Sequence, residues 1–410
     1  MQVVPGRSIR LRTVGAGILL ACAALSGFAA SGPTEAKVIG TNVPAPPLDA
    51  DRISTLPPAG RQAWLDYLQR SATQMRADQA SLKAELPAGA IQPASPAPHG
   101  AGIKSMPMDR DASWYASAEA RRIADNVISF QTPAGGWSKN LDRAGQPRLP
   151  GQRYSFAGGG AAPDPANFDQ PNDRDWTYVG TIDNGATTGE LAYLARVAAA
   201  LPGSEGDRYR ASFVKGIGYL LAAQYPNGGW PQVWPLQGGY HDGITLNDNG
   251  MAEVMMLLQD VATDPRFAFV PADMRRQAAA AVERGTAVIL QAQVRVDGQR
   301  TGWPQQVDPL TLAPISARNY EPRSIASGET TDILLLLMRD PQPSAEMRAA
   351  IEGGIAWLRS KATRDVAFTR VEGEGRKLIA QPGAGPIWSR NYDVVSNQPI
   401  FGDRDKTIHD

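Results

Sequence analysis

One cysteine and three histidines are all that this 410-residue sequence offers to thiol or soft-metal chemistry. Cys22 stands alone, so no disulfide can staple the chain and the fold must rest on its core. His99, His241 and His409 do not have the spacing of a zinc site. No Gly-x-Ser-x-Gly elbow occurs, which leaves a Ser-His-Asp nucleophile little support. An excess of one charge is also missing. The 41 basic residues face 41 acidic ones, so no basic surplus points to nucleic acid. Period-two alternation is nearly absent, which disfavours a β-helix or a sandwich.

Long apolar runs are scarce too, except at the start. Arg7, Arg10 and Arg12 precede an apolar stretch from Val14 to about Ala30, with small residues near Ala29 and again at Ala36 as candidate cleavage points. Residues 1–30 therefore read as a signal peptide, and the protein is expected to be secreted or periplasmic. The run is too short and wrongly flanked for a membrane span. Leu19-Leu20-Ala21-Cys22 resembles a lipoprotein box, but the apolar run continues past Cys22, so lipid anchoring is the minor reading. Removal of residues 1–29 leaves 38 basic groups against 41 acidic ones, a mildly acidic chain at −3.

What is present is organisation. Residues 31–50 read as a linker, 51–86 as a small helical pair, and 87–109 as a second linker rich in Pro and Ala. The main domain is expected over 110–410. Inside it one layout recurs three times: a helix ending in Gln, a Gly-Trp loop, and a helix with a polar start. The loops are Gly135-Gly136-Trp137, Gly228-Gly229-Trp230 and Gly302-Trp303-Pro304. The helices that follow open near Asn184, Asp248 and Ser327, and a last helix covers about Ser344 to Ser360.

Helices before each loop are amphipathic, whereas those after it are apolar nearly all round, as in Ile333 to Met338. The second kind has to be buried. Alternating outer and inner helices close into an all-α ring of hairpins, an α/α toroid. If the inner helices run parallel, their positive ends gather at one end of the ring beside the Gly-Trp loops, which suits an anionic ligand.

Unusual residues concentrate between each loop and its inner helix. Asp183 and Asp248 stand at inner-helix starts, where the ordinary role of Asp is an N-cap. Two such carboxylates at one end of one ring, without His or Cys clustering, instead suit Ca²⁺ rather than a transition metal. Arg318, Arg323, Arg390 and Arg404 are ordinary surface ion-pair formers or, as forked donors, partners for carboxylates. Acids beside an arginine cluster point to uronate chemistry. Trp137, Trp230, Trp234 and Trp303 read first as packing residues, with stacking on sugar faces as the alternative.

Seven strips of sequence resemble, in the same order, the polysaccharide lyase family 10 pectate lyases. They are Gly135-Gly136-Trp137-Ser138-Lys139-Asn140, Thr181-Ile182-Asp183-Asn184 with Ala186-Thr187, Gly228 to Gln232, Asn247-Asp248, Ala317 to Glu321, Tyr392-Asp393, and Asn397 to Asp405. The resemblance covers about 110 to 410 and implies an (α/α)₃ toroid whose long loops form the cleft. It implies Ca²⁺-dependent β-elimination on polygalacturonate, with Asp183 and Asp248 holding calcium and Arg318 removing the C5 proton. Lys139, Asn184, Tyr320, Arg390 and Arg404 would bind the substrate. No nucleic acid and no membrane span enter this reading, and a monomer is expected. Because guanidinium is a poor base, neighbouring positive charge has to disfavour its protonated form, and an alkaline optimum is expected.

The chain departs from the family pattern at Pro322-Arg323, where Leu-Pro is usual, at Asn391, where a bulky aromatic is common, and at Gln398, where Arg is common. These bear on substrate contacts more than on metal or base. A non-catalytic pectin-binding protein and a lyase for another uronate polymer are the remaining readings. A terpene-cyclase-like ring lacks its Asp-rich or zinc site here.

Overall fold

The computed structural model describes residues 36–100, 102–156, 167–169, 179–373 and 375–410. The expected signal peptide, Cys22 and the first part of the expected linker lie outside the described residues.

Nine α-helices are present among the described residues: α1 (Ala50–Ser54), α2 (Pro58–Ala84), α3 (Ala118–Ser129), α4 (Thr188–Ala200), α5 (Asp207–Ala223), α6 (Gly250–Thr263), α7 (Ala272–Ala292), α8 (Ser327–Leu337) and α9 (Ala345–Lys361). The hairpins α3/α4, α5/α6 and α7/α8 make an (α/α)₃ toroid, with α9 as a last outer helix. Periodicity decides which helix goes where. In α3, Ala120, Ile123, Ala124 and Val127 lie on one stripe and are buried, while Arg121 and Arg122 point outward. In α6, Met251, Val254, Met255, Leu258 and Val261 all join the core.

The Gly-Trp layout is a structural lock repeated three times. Each Trp is fully buried and donates its indole N–H back to the outer helix before it. Trp137 reaches Val127 O at 2.7 Å, Trp230 reaches Leu220 O at 2.8 Å, and Trp303 reaches Ile289 O at 2.7 Å. The Gln ending each outer helix ties its own loop to the next outer helix. Gln131 donates to Gly135 O and Ser212 O, Gln224 to Gly228 O and Ala281 O, and Gln293 to Thr301 O and Ala350 O. Glycine is required at Gly135 and Gly228. Both have φ near +110° (111° and 107°), and a Cβ there would meet the backbone of Lys215 or Arg284 within 2.7 Å. The tryptophans are thus packing residues, as is Trp234, set edge-on against Tyr219 at 5.6 Å.

Inner helices start together. The turn Asp183–Gly185 before α4 lies against the turn Asn247–Asn249 before α6, and that second turn also lies against α8. Three helix N-termini therefore face one end of the ring.

Three local differences from the sequence reading follow from packing. The two helical stretches expected within 51–86 lie on one continuous helix, α2, preceded by the short α1. Trp64 and Tyr67 of α2 stack on Tyr225 of the toroid, and Tyr67 donates to Ala223 O at 2.8 Å. Within the expected first linker, Val38–Thr41 is a strand. It edges a five-stranded antiparallel sheet in the order Val38–Thr41, Thr407–His409, Pro399–Gly402, Asn391–Tyr392, Ile325–Ala326. Finally, α8 is not buried all round: Leu335 and, at its end, Met338 are exposed, because α8 is the last inner helix and among the described residues no further hairpin follows it. Among the described residues, no helix is long and apolar enough to cross a membrane.

Candidate active site

The polar ends of α4 and α6 are built so that their aspartates are not used up as caps. Thr187 caps α4: its N–H donates to Glu190 Oε2 at 2.8 Å, and its hydroxyl accepts from Trp137 N at 3.0 Å and donates to Thr181 O at 2.8 Å. Asp183 lies one turn earlier and Asp248 sits in the matching turn before α6. Asn184, Thr187, Asp248 and Asn249 all have positive φ, between 50° and 63°. Such conformations cost about 1–3 kcal/mol each and persist where surrounding structure holds them. Four of them at the mouth of one ring mark the place where the fold accepts strain.

Charge is crowded there. Asp183 is buried and ion-paired with Lys139, which follows the first Gly-Trp loop. Burial raises the Asp183 pKa, but the Lys139 charge and hydrogen bond outweigh it, and the carboxyl ends below its ordinary range. Asp248 goes the other way: burial and then the neighbouring Asp183 push it up to about 6. Asp183 Oδ1, Gln232 Oε1 and Gln306 Oε1 are buried acceptors with no hydrogen-bond donor among the described residues. His241 is buried nearby, and desolvation, then the Lys139 charge, push its pKa down to about 3.

The opposite wall comes from the segment after the third loop. Glu321 accepts from Arg318 Nε at 2.8 Å and from Nη2 at 2.6 Å, a fork that leaves Nη1 unused by the pair. Arg390 Nη2 reaches the same carboxylate at 3.2 Å and Asn247 Oδ1 at 3.4 Å. Burial raises Glu321, the bonds from Arg318 override this, and the carboxylate stays ionised. The same bonds raise the pKa of Arg318. Against the Ca²⁺ and arginine charges expected to disfavour its protonated form stands Glu321, which favours it. Tyr320 lies 4.8 Å from the guanidinium carbons of both Arg318 and Arg404, and Arg404 stands 3.9 Å from Asp169.

These walls enclose a small polar cleft of about 180 Å³. Of the residues singled out from sequence, Lys139, Asp183, Asn184, Asp248 and Arg318 line it. Arg390 approaches through Glu321, while Tyr320 and Arg404 sit farther out, with Arg404 largely exposed. Arg323 lines a separate cavity behind the Arg318 loop. The cleft also takes in Gln232, Tyr240, Asn247, Gln306 and Glu321, to which the sequence reading gave no role. A signal for the glutamines existed in the Trp-Pro-Gln repeated at 230–232 and 303–305, with Gln306 next in line.

An α/α toroid with acids facing arginines across such a cleft is an architecture of polysaccharide lyases. A family 10 polysaccharide lyase from Cellvibrio cellulosa matches at 31% identity and a TM-score of 0.59, over 75% of this chain and 87% of its own. A mutant of a family 10 lyase from the same organism, in complex with trigalacturonic acid, matches at 31% identity and a TM-score of 0.60, over 75% and 88%. Residues 131–410 match the family model described as pectic acid lyase, and the chain belongs to that family of polysaccharide lyases. No curated protein sequence matches.

Proposed function

We propose that this lyase cleaves de-esterified pectin, polygalacturonate, by Ca²⁺-dependent anti β-elimination. The observation that carries the reading is one cleft holding Arg318 on one wall and Asp183 with Asp248 on the other. The donor set suits a hard cation. Among the described residues its acceptors are carboxylate and amide oxygens, three of them buried without a donor, and no thiol or thioether lines the cleft. Asp183 and Asp248 would hold the ion, with Gln232 and Gln306 within the same cleft. When bound, Ca²⁺ neutralises the uronate carboxylate and so acidifies the adjacent C5–H.

The chain's own groups supply the rest. The neutral fraction of Arg318, having released a proton from Nη1 to solvent, takes the C5 proton at that nitrogen, which Glu321 does not occupy, and becomes the guanidinium. The electron pair forms the C4=C5 double bond as the C4–O bond breaks, and the leaving oxygen picks up a proton from water. Lys139, Asn184 and Arg390 bind carboxylates and hydroxyls near the reacting sugar, and Tyr320 with Arg404 extends the cationic wall outward. Products are 4,5-unsaturated oligogalacturonates. The charged start and apolar run of residues 1–30 support export, and the mass of the processed protein tests that point.

The activity test is direct. Purified protein is mixed with polygalacturonate and Ca²⁺, and ultraviolet absorbance of the unsaturated product is followed. Absorbance rises with Ca²⁺ and stops with a chelator if the reading holds. No rise, or an equal rise with chelator, rejects it.

A further inference from the structure

The loop that carries Arg318 is braced by residues far outside it in sequence. Asn42 follows the edge strand Val38–Thr41 and is anchored there, its N–H donating to Lys406 O at 2.7 Å. Its buried side-chain amide donates to two successive carbonyls, Arg318 O at 3.1 Å and Asn319 O at 2.9 Å. An Asn amide has two N–H donors, and here each meets one carbonyl. Arg318 O also accepts Glu321 N at 2.8 Å, and Ala317 N donates to Glu321 O at 3.0 Å, closing the turn. The strap holds the same loop at two further points. Val43 O accepts from Ser316 Oγ, and Arg52 Nη2 pairs with buried Asp308 at 2.7 Å.

Between strap and loop lies a cavity of about 420 Å³, lined in part by Ile39, Pro44, Ile315 and Arg323. On that side discrete hydrogen bonds from the strap hold the loop, while Gly402 packs against the Tyr320 backbone and Asn319 donates to Asn167 and Asp169 on other sides. Glu321 grips the guanidinium from the front, while Asn42 fixes the backbone that carries it.

We propose that Asn42 is a positioning residue for Arg318, and that the strap from residue 37 to Arg52 is part of the catalytic machinery. Nothing in the family match, which begins at residue 131, assigns this segment a role. The inference rests on the reading of Arg318 as the base.

The test compares full-length wild type with Asn42→Leu, which removes both donors, and Asn42→Asp, which keeps the shape without the amide. Val127→Ala, in the core of α3 and away from the strap, controls for lost stability. Small misplacements of a reacting group cost large factors in rate, so kcat should fall about 10- to 100-fold in the Asn42 variants with KM for polygalacturonate held within about threefold. Hydrogen exchange at the Glu321 amide should speed up about tenfold or more as the turn loosens. Val127→Ala, at a matched loss of Tm, should keep kcat within about twofold. An Asn42 variant that keeps wild-type kcat, or that loses activity only as Val127→Ala does, overturns the proposal. If wild type releases no unsaturated product, the lyase reading fails by itself. The exchange measurement then decides the brace, and unchanged protection of Glu321 N–H rejects it.

Discussion

Glu321 holds Arg318 through both carboxylate oxygens, at 2.8 and 2.6 Å, and reaches Arg390 with one of them at 3.2 Å. The acid fixes the fork of the base and at the same time makes that base harder to deprotonate. Position and proton affinity are therefore opposed in one residue, which separates them experimentally. With Arg318 held cationic, only a small neutral fraction can act, and that fraction grows tenfold per pH unit below the pKa. The rate should climb through the alkaline range. Glu321→Gln removes the negative charge, so Arg318 loses its proton at lower pH. We expect kcat to fall about tenfold through lost positioning, while the rising limb of the pH–kcat/KM profile moves to lower pH. A limb that stays put or moves upward contradicts Arg318 as the base.

Lys139 competes with any cation for Asp183, since its ammonium is ion-paired with that carboxylate. Lys139→Met should tighten Ca²⁺ binding by about tenfold, the factor that corresponds to ~1.4 kcal/mol, as followed by calorimetry without substrate. The same variant should raise KM for polygalacturonate, because one carboxylate-binding cation is gone. Weaker Ca²⁺ binding would place Lys139 in a supporting role for the metal site instead.

Trp230 is fully buried and bonded to Leu220 O. Trp230→Ala should cost about 3–5 kcal/mol in urea unfolding, with KM unchanged in the protein that remains folded. A KM change with little loss of stability would return this residue to a sugar-stacking role.

Asp78 on α2 is fully buried, and burial pushes its carboxyl from 3.8 up to about 6. The folded state binds this proton more tightly than the unfolded one. Stability from this group is therefore lost as pH rises from about 4 to about 6 and is level above that. Asp78→Asn keeps the shape and cannot ionise. The Tm difference between variant and wild type should grow in the variant's favour from pH 4 to 6 and then stay constant. Parallel curves would show that Asp78 ionises as freely folded as unfolded.

The ring was legible in the sequence because its signal is periodic and repeated: the Gln before each loop, the buried Trp, and the switch from amphipathic to apolar helices. Asp183 and Asp248 were legible because two acids recur at equivalent helix starts. Their freedom from capping was not, since Thr187 takes that role through a hydrogen-bond network that spacing does not reveal. Glu321 was visible as a letter in the Ala-Arg-x-Tyr-Glu strip, but its double grip depends on a tight turn. Arg404 and Tyr320 do not line the cleft, though the Tyr320 ring lies 4.8 Å from the Arg318 guanidinium carbon, because a shared strip fixes order along the chain and not depth in the site. Asn42 carried no signal at all: its partners are 276 and 277 residues away.

If Arg318 performs the proton abstraction, removing its side chain should stop turnover while sparing the cation site. The rate of unsaturated product formation from polygalacturonate is compared between wild type and Arg318→Ala at saturating Ca²⁺, with Ca²⁺ affinity measured on both. A loss of about 10³-fold or more in kcat is expected, with Ca²⁺ affinity preserved. An Arg318→Ala enzyme that turns over within about tenfold of wild type would contradict it.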